Sequence, residues 1–139
     1  MVVVDGQGVP LGNHLDAATP HEVTLIEKTL KQIKVPRKVG RPRQHVDILI
    51  YDTAADSDAL RKRLKKQGTE LIAPHRRNRK RPSLQDGRKL RRYTGRWTIE
   101  RTFSWLGNSR RLLVRHERRL DVYQAFFHIS CMMITLNRF

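Results

Sequence analysis

Four residues stand at spacings that could carry phosphoryl chemistry. Tyr93, Arg96 and Glu100 fall at i, i+3 and i+7, which at roughly 100° per residue puts them on one face of a helix. A carboxylate aligned with a guanidinium and a phenol can bind a metal, a phosphate or both. The same spacing also describes a simple Arg–Glu pair on a solvated helix, worth only about 0.3–0.5 kcal/mol. Asp52 directly follows Ile48-Leu49-Ile50-Tyr51. It therefore stands at the carboxyl end of a buried-type strand, where ligands of open α/β sheets gather.

The charge of the chain says what such a site would face. Of 139 residues, 29 are Lys or Arg and 13 are Asp or Glu, a formal net charge of +16. A surface of that charge self-repels unless it meets a polyanion, and nucleic acid is the commonest one. The charge is uneven. From His75 to Leu120 sixteen basic residues face only Asp86, Glu100 and Glu117, a balance of +13 in one third of the chain. Within it Arg76, Arg77, Arg79, Lys80 and Arg81 form the densest run, and Arg110 and Arg111 lie further on. These are the candidate phosphate contacts.

Other chemistries are excluded or lack a pattern. The single Cys131 rules out an internal disulfide framework and a multi-cysteine zinc site, and suits a reducing, cytoplasmic setting. The six histidines show no ligand spacing, and no Gly-x4-Gly-Lys-Ser/Thr phosphate loop occurs. The longest apolar stretch, Val122 to Leu136, is interrupted by Gln124, His128 and Ser130 and is too short and polar to span a membrane. The start, Met-Val-Val-Val, has no basic region of a secretory signal.

The elements that must position these residues read as an α/β pattern within one domain. Val2 to Val4 and Val9 to Leu15 form a hairpin around Asp5-Gly6-Gln7-Gly8. Thr19, Pro20 and Glu22 have the arrangement of a helix start with a capping box, followed by Val23, Ile26, Leu30 and Ile33 as an apolar stripe. Pro36 to Gln44 reads as a basic loop, either a solvated linker or, at Gly40-Arg41-Pro42-Arg43, a minor-groove hook. A strand over Val46 to Tyr51 leads to a helix from about Asp56-Ser57 to Gln67, closed by Gly68. A short strand follows at Thr69 to Ala73. Residues 75–89 then form a basic mobile loop, and Leu90 to Leu106 one helix carrying Tyr93, Arg96 and Glu100. Asp121 caps a last helix, Val122 to about Asn137, apolar nearly all round and so expected in the core. Trp97 and Trp105 are likewise expected in the core. The sheet should mix the hairpin with the crossover-connected strands.

At this point the residues meet a known pattern. Tyr93-x2-Arg96-x3-Glu100 resembles the Tyr-x2-Arg-x3-Glu signature of bacterial insertion-sequence transposases of the DDE type. Trp97 to Leu106 is similar to the glutamate-bearing helix of the insertion-sequence-five and insertion-sequence-four-like groups, and Arg115-His116-Glu117-Arg118-Arg119 to the basic segment after it. Val4 to Leu11, Gly40 to Arg43 and Tyr51 to Asp56 also match in order, the last resembling the segment that bears the second catalytic aspartate.

The resemblance implies a ribonuclease-H-like fold, a mixed sheet flanked by helices, and metal-dependent strand nicking and joining on double-stranded DNA, at element ends and target. It makes Asp52 the second aspartate and Glu100 the glutamate, both metal ligands for Mg²⁺ or Mn²⁺, with Tyr93 and Arg96 holding phosphate beside them. Two departures stand out. Gly107 occupies the place of a lysine in the related full signature, and no residue matches the first catalytic aspartate, Asp5 falling in a turn. Residues 1–139 thus resemble a partial catalytic domain, incomplete at its N-terminus: a decayed remnant, or the second reading frame of a frameshifting element. Such a chain is expected to be nucleoid-associated and inactive alone, with self-association or an upstream-frame product as possible completing partners. The alternatives from other classes are a non-catalytic DNA-binding protein or inhibitor derived from the same element, and an RNA-binding basic domain.

Overall fold

The computed structural model describes residues 1–16, 21–84 and 87–138. The chain opens with the hairpin, β1 (Val2–Val4) antiparallel to β2 (Pro10–Asn13). The Asp5 carboxylate shapes its turn, accepting from the backbone N–H of Gln7 at 2.8 Å and of Val9 at 2.9 Å. Pro10, with no N–H to donate, sits at the first position of its strand, where pairing tolerates it.

Helix α1 (Glu22–Leu30) begins at His21, whose side chain accepts from Val23 N–H. The expected cap, Thr19, and Pro20 lie outside the described residues. The apolar stripe does face inward. Ile26 and Ile33 are buried, and Val23 and Leu30 pack at the edge of the cluster that holds Ile26.

Strand β3 (Ile48–Ile50) pairs in parallel with β4 (Glu70–Ile72). The crossover between them is a 3₁₀ turn, Thr53–Ala55, then α2 (Asp58–Lys66). Ser57 caps α2, and Arg63, Lys65 and Lys66 lie in its last turn, favourable to the helix dipole. Gly68 follows at φ +83°, and a Cβ there would stand 2.8 Å from His45 Nε2. Leu60 and Leu64 are fully buried, each contributing about 2 kcal/mol of transfer free energy.

The expected helix over Leu90 to Leu106 is three pieces: α3 (Gly87–Leu90), a 3₁₀ turn (Arg91–Arg96) and α4 (Trp97–Gly107). Thr94-Gly95, poor helix formers, fall within the 3₁₀ segment. A short α5 (Arg110–Leu113) leads to α6 (Leu120–Leu136). α6 is not buried all round. Phe127, Ser130 and Ile134 face inward, while Ile129, Met132, Met133 and Leu136 are exposed. Asp121 lies within its first turn, and Arg119 holds the cap position.

Among the described residues two clusters form the core. One joins Ile26, Leu49, Leu60, Leu64 and Leu71; the other joins Leu106, Phe127 and Ile134. β1 lies between them, because successive strand residues point to opposite faces: Met1 packs on the first cluster and Val2 on the second. The architecture is mixed α/β. Among the described residues the hairpin and the parallel pair remain two separate two-stranded sheets rather than the single mixed sheet expected, since there β1 pairs only with β2 and β3 only with β4.

Candidate functional site

The structure keeps Tyr93, Arg96 and Glu100 together although their helix is broken. In a 3₁₀ turn residues i and i+3 eclipse, so the Arg96 guanidinium lies over the Tyr93 ring, 5.6 Å from its centroid. From Arg96 onward the chain is α-helical, and i, i+4 neighbours meet. Arg96 Nη2 therefore donates to Glu100 Oε1 at 2.8 Å. The Glu100 side chain is 61% exposed. Such a pair adds little to stability in water, which leaves the carboxylate open to a competing cation.

Asp52 stands immediately past β3 as the cap of the Thr53–Ala55 turn. Its Oδ1 accepts from Ala54 N–H at 2.8 Å. Oδ2 takes no part in that bond, and the residue is half-buried. The Arg91–Arg96 turn packs against β3, so the segment leading into Glu100 and the strand leading into Asp52 are neighbours. Among the described residues no group of three or more His, Cys, Asp and Glu side chains converges as a metal cage. The donor chemistry of Asp52 and Glu100 alone, hard carboxylate oxygen, fits Mg²⁺ or Mn²⁺.

The basic segment is held by a network that sequence reading did not single out. Asp56 is its hub, with a side chain only 3% exposed. It accepts from Arg76 N–H at 2.9 Å, Arg61 Nη2 at 3.0 Å and His75 Nδ1 at 2.8 Å. Arg61 continues to the carbonyls of Leu71 and Ala73, tying the hub to β4. His75 Nε2 accepts from Leu84 N–H at 3.2 Å, which leaves Nδ1 as the donor to Asp56. Burial opposes ionisation of Asp56. The Arg76 N–H and the bonds from Arg61 and His75 outweigh it and hold the carboxyl well below the usual range. Asp58 binds Arg79 through both oxygens, at 3.0 and 3.2 Å, and its pKa is lowered first by that bond.

The candidate phosphate contacts therefore divide. Arg77 and Lys80 are exposed and make no ion pair with a described residue. Arg76 is exposed but donates to the carbonyls of Thr53 and Ala54, on the turn capped by Asp52. Arg79, 12% exposed, spends its guanidinium on Asp58 and the Pro82 carbonyl. Arg81, 77% exposed, touches Asp58 at 3.3 Å. Arg110 is exposed on α5, while Arg111 pairs with Glu117 at 3.3 Å and stacks on Phe126.

Neither tryptophan is a simple core residue. Arg101 lies 4.5 Å from the Trp97 ring centroid and 4.9 Å from that of Trp105, and Trp97 is 55% exposed. The signal was available in the i, i+4, i+8 spacing of Trp97, Arg101 and Trp105. Likewise Asp-x-Asp-x2-Arg at Asp56, Asp58 and Arg61 foreshadowed the hub.

Fold and site together define a basic α/β protein with strand-end and helix-borne carboxylates. The family of the transposase DDE domain matches residues 1–136, and the chain belongs to it. A Burkholderia cepacia protein that bears the name "Putative transposase for insertion sequence element IS402" is 34% identical over 137 residues, 98% of this chain. The chain spans 61% of that relative's length. No solved structure matched. Among the described residues no helix is long and apolar enough to cross a membrane.

Proposed function

We propose that this chain is part of a ribonuclease-H-like transposase catalytic domain that binds double-stranded DNA and contributes Asp52 and Glu100 to a divalent-metal site. The observation that carries the reading is the Tyr93–Arg96–Glu100 contact set, formed by the residues that match the family signature and packed beside β3 through the Arg91–Arg96 turn. The ribonuclease-H-like reading draws on the hairpin, the parallel pair and a β1 shared between two cores. One further strand joining the two small sheets would complete the mixed sheet the family resemblance implies.

Asp52 and Glu100 would hold the ion, which when bound supplies charge stabilisation and a nucleophile at the scissile phosphate. Arg96 is placed to give up its bond to Glu100 and take a phosphate oxygen, with Tyr93 stacked behind it. Arg77, Lys80, Arg81 and Arg110 would neutralise backbone phosphates along the duplex. With two carboxylates the chain is expected to bind DNA and not to nick it unaided.

The test pairs a binding titration with a supercoiled-plasmid nicking assay in Mg²⁺ or Mn²⁺. Salt-sensitive binding without nicking supports the reading. Nicking by the parent that Glu100→Gln abolishes would show that a third carboxylate of this chain completes the site, and would overturn the partial-domain part of the proposal. Absence of salt-sensitive binding would overturn the DNA reading.

A further inference from the structure

The basic segment is not an unattached string of cations. Two carboxylates on the preceding elements fix it. Asp56 takes the Arg76 backbone N–H and His75, and Asp58 takes Arg79 and Arg81. Arg79 in turn closes the segment on itself, its Nε donating to the Arg81 carbonyl at 3.2 Å and its Nη2 to the Pro82 carbonyl at 3.1 Å. His75 binds the far end at Leu84 N–H. Both ends and the middle of residues 75–84 are thus anchored, while Arg77 and Lys80 are exposed and make no ion pair with a described residue. Arg76 also grips the carbonyls of the Thr53–Ala55 turn, so the Asp52 cap and the segment share one support.

We propose that Asp56 and Asp58 are positioning residues for DNA: acidic groups that strengthen binding to a polyanion by holding the basic segment in one shape. The inference rests on the DNA reading above. It makes a prediction that charge alone would reverse. A carboxylate near the DNA repels phosphate, so removing it should tighten binding if only net charge mattered. If the carboxylate orders the segment, its removal makes the duplex pay to immobilise long basic side chains, and binding weakens.

Asp58 is the better probe, because it is partly exposed in the first turn of α2, whereas Asp56 is a buried hub. Asp58→Asn should weaken binding of the full chain to a double-stranded oligonucleotide about 3- to 10-fold, the size expected for freeing one or two side chains. The slope of log K against log salt should stay close to the parent's, because the phosphates neutralised are still those facing Arg77, Lys80, Arg81 and Arg110. Arg77→Gln serves as the contrast and should lower that slope by about 0.9. Arg79→Gln should reproduce the Asp58→Asn loss, and the double variant should lose no more than either single one, since the two act as a pair. Trypsin cleavage after Arg77 and Lys80 should quicken in Asp58→Asn with the thermal midpoint little changed, a readout that a global stability effect would not give. Should Asp58→Asn melt early, the salt slope of Arg79→Gln carries the test: it should stay near the parent's where that of Arg77→Gln falls, and a slope lowered as much as in Arg77→Gln overturns the positioning role. Binding by Asp58→Asn as tight as the parent's, or tighter, overturns the positioning role while leaving the DNA reading standing. A parent that shows no salt-sensitive binding overturns the DNA reading itself.

Discussion

The Thr102 hydroxyl donates to the Gly8 carbonyl at 2.8 Å, and a Cβ on Gly8 would stand 2.9 Å from that same oxygen. Ninety-four residues apart in sequence, the two fix the hairpin turn against α4 two residues from Glu100. Arg101 Nη2 adds a second bond, to the Gln7 carbonyl at 2.7 Å. The turn that sequence reading treated as a connection is thus part of the support of the glutamate-bearing helix.

Gly8→Ala should lower stability by about 2–4 kcal/mol, since Gly8 has φ +86° and the added methyl meets Thr102 and Trp105. Thr102→Val should cost about 1–3 kcal/mol by leaving a buried carbonyl unpaired, and Thr102→Ser, which keeps the hydroxyl, less. Urea unfolding of the three variants checks the order; a Thr102→Ser as damaged as Thr102→Val would show that packing, not the hydrogen bond, carries the contact.

Much of the fold was legible because local patterns and tertiary burial agree there. The Asp5-Gly-Gln-Gly turn, the Ile26–Ile33 stripe, Ser57 and Gly68 at the ends of α2, and the Ile-Leu-Ile run each have one reading, and the structure adopts it. The break at Arg91–Arg96 was not read, because the apolar and charged periodicity runs through it. Only the weak propensity of Thr94-Gly95 marked it. The exposed face of α6 was hidden by composition, since Ile129 and Met132 look the same to a pattern whether covered or not. At the candidate site, the Tyr93–Arg96–Glu100 alignment was legible from spacing. The Asp56 hub was legible only in its local half, Asp56 with Arg61, because His75 and Arg76 converge on it from a distant segment.

Acid should expose that hub. With its folded pKa depressed, Asp56 contributes stability that is fully present above its ordinary value of 3.8 and is lost as pH falls below it toward the folded value. Asp56→Asn should therefore flatten the loss of stability below that pH. It should also cost about 3 kcal/mol or more at neutral pH, because Arg61, 11% exposed, loses its counter-charge. Thermal midpoints of parent and variant across the acid range check both points; parallel curves would show that Asp56 is not the titrating support.

Cys131 should resist alkylation while the chain is folded. Burial pushes its thiol from 9.0 up to about 11. At a pH below both values the thiolate is then about 100-fold rarer than in the unfolded chain, and the thiolate is the nucleophile. Iodoacetamide labelling at pH 8 should be slower by about that factor than in urea. Equal rates would place the thiol in open solvent.

Neighbouring arginines on α5 should behave differently toward DNA. Arg110 is exposed and makes no ion pair with a described residue, whereas Arg111 is paired with Glu117 and lies over Phe126. Arg110→Gln should lower the salt slope of DNA binding by up to about 0.9, one phosphate contact. Arg111→Gln should instead lower thermal stability and leave the slope near that of the parent. The opposite assignment would put Arg111, not Arg110, on the duplex.

Asp52 and Glu100 should lie close enough to share one divalent ion. They are separated in sequence by the α2 crossover, β4, the basic segment and the Arg91–Arg96 turn, and that turn packs back on β3. If both carboxylates bind one divalent ion, each at about 2.1 Å, their ligating oxygens must stand within about 4 Å of each other. Fe²⁺ can replace Mg²⁺ at oxygen ligands, and with peroxide and ascorbate it cleaves the backbone next to its site. The folded chain should be cut near both Asp52 and Glu100. Asp52→Asn and Glu100→Gln should each suppress both cuts, because each removes half of one ligand set. Excess Mg²⁺ should protect, which separates a shared site from adventitious iron on surface histidines. A cut at one position only, or cuts that respond only to their own variant, would mean that the two carboxylates do not share an ion.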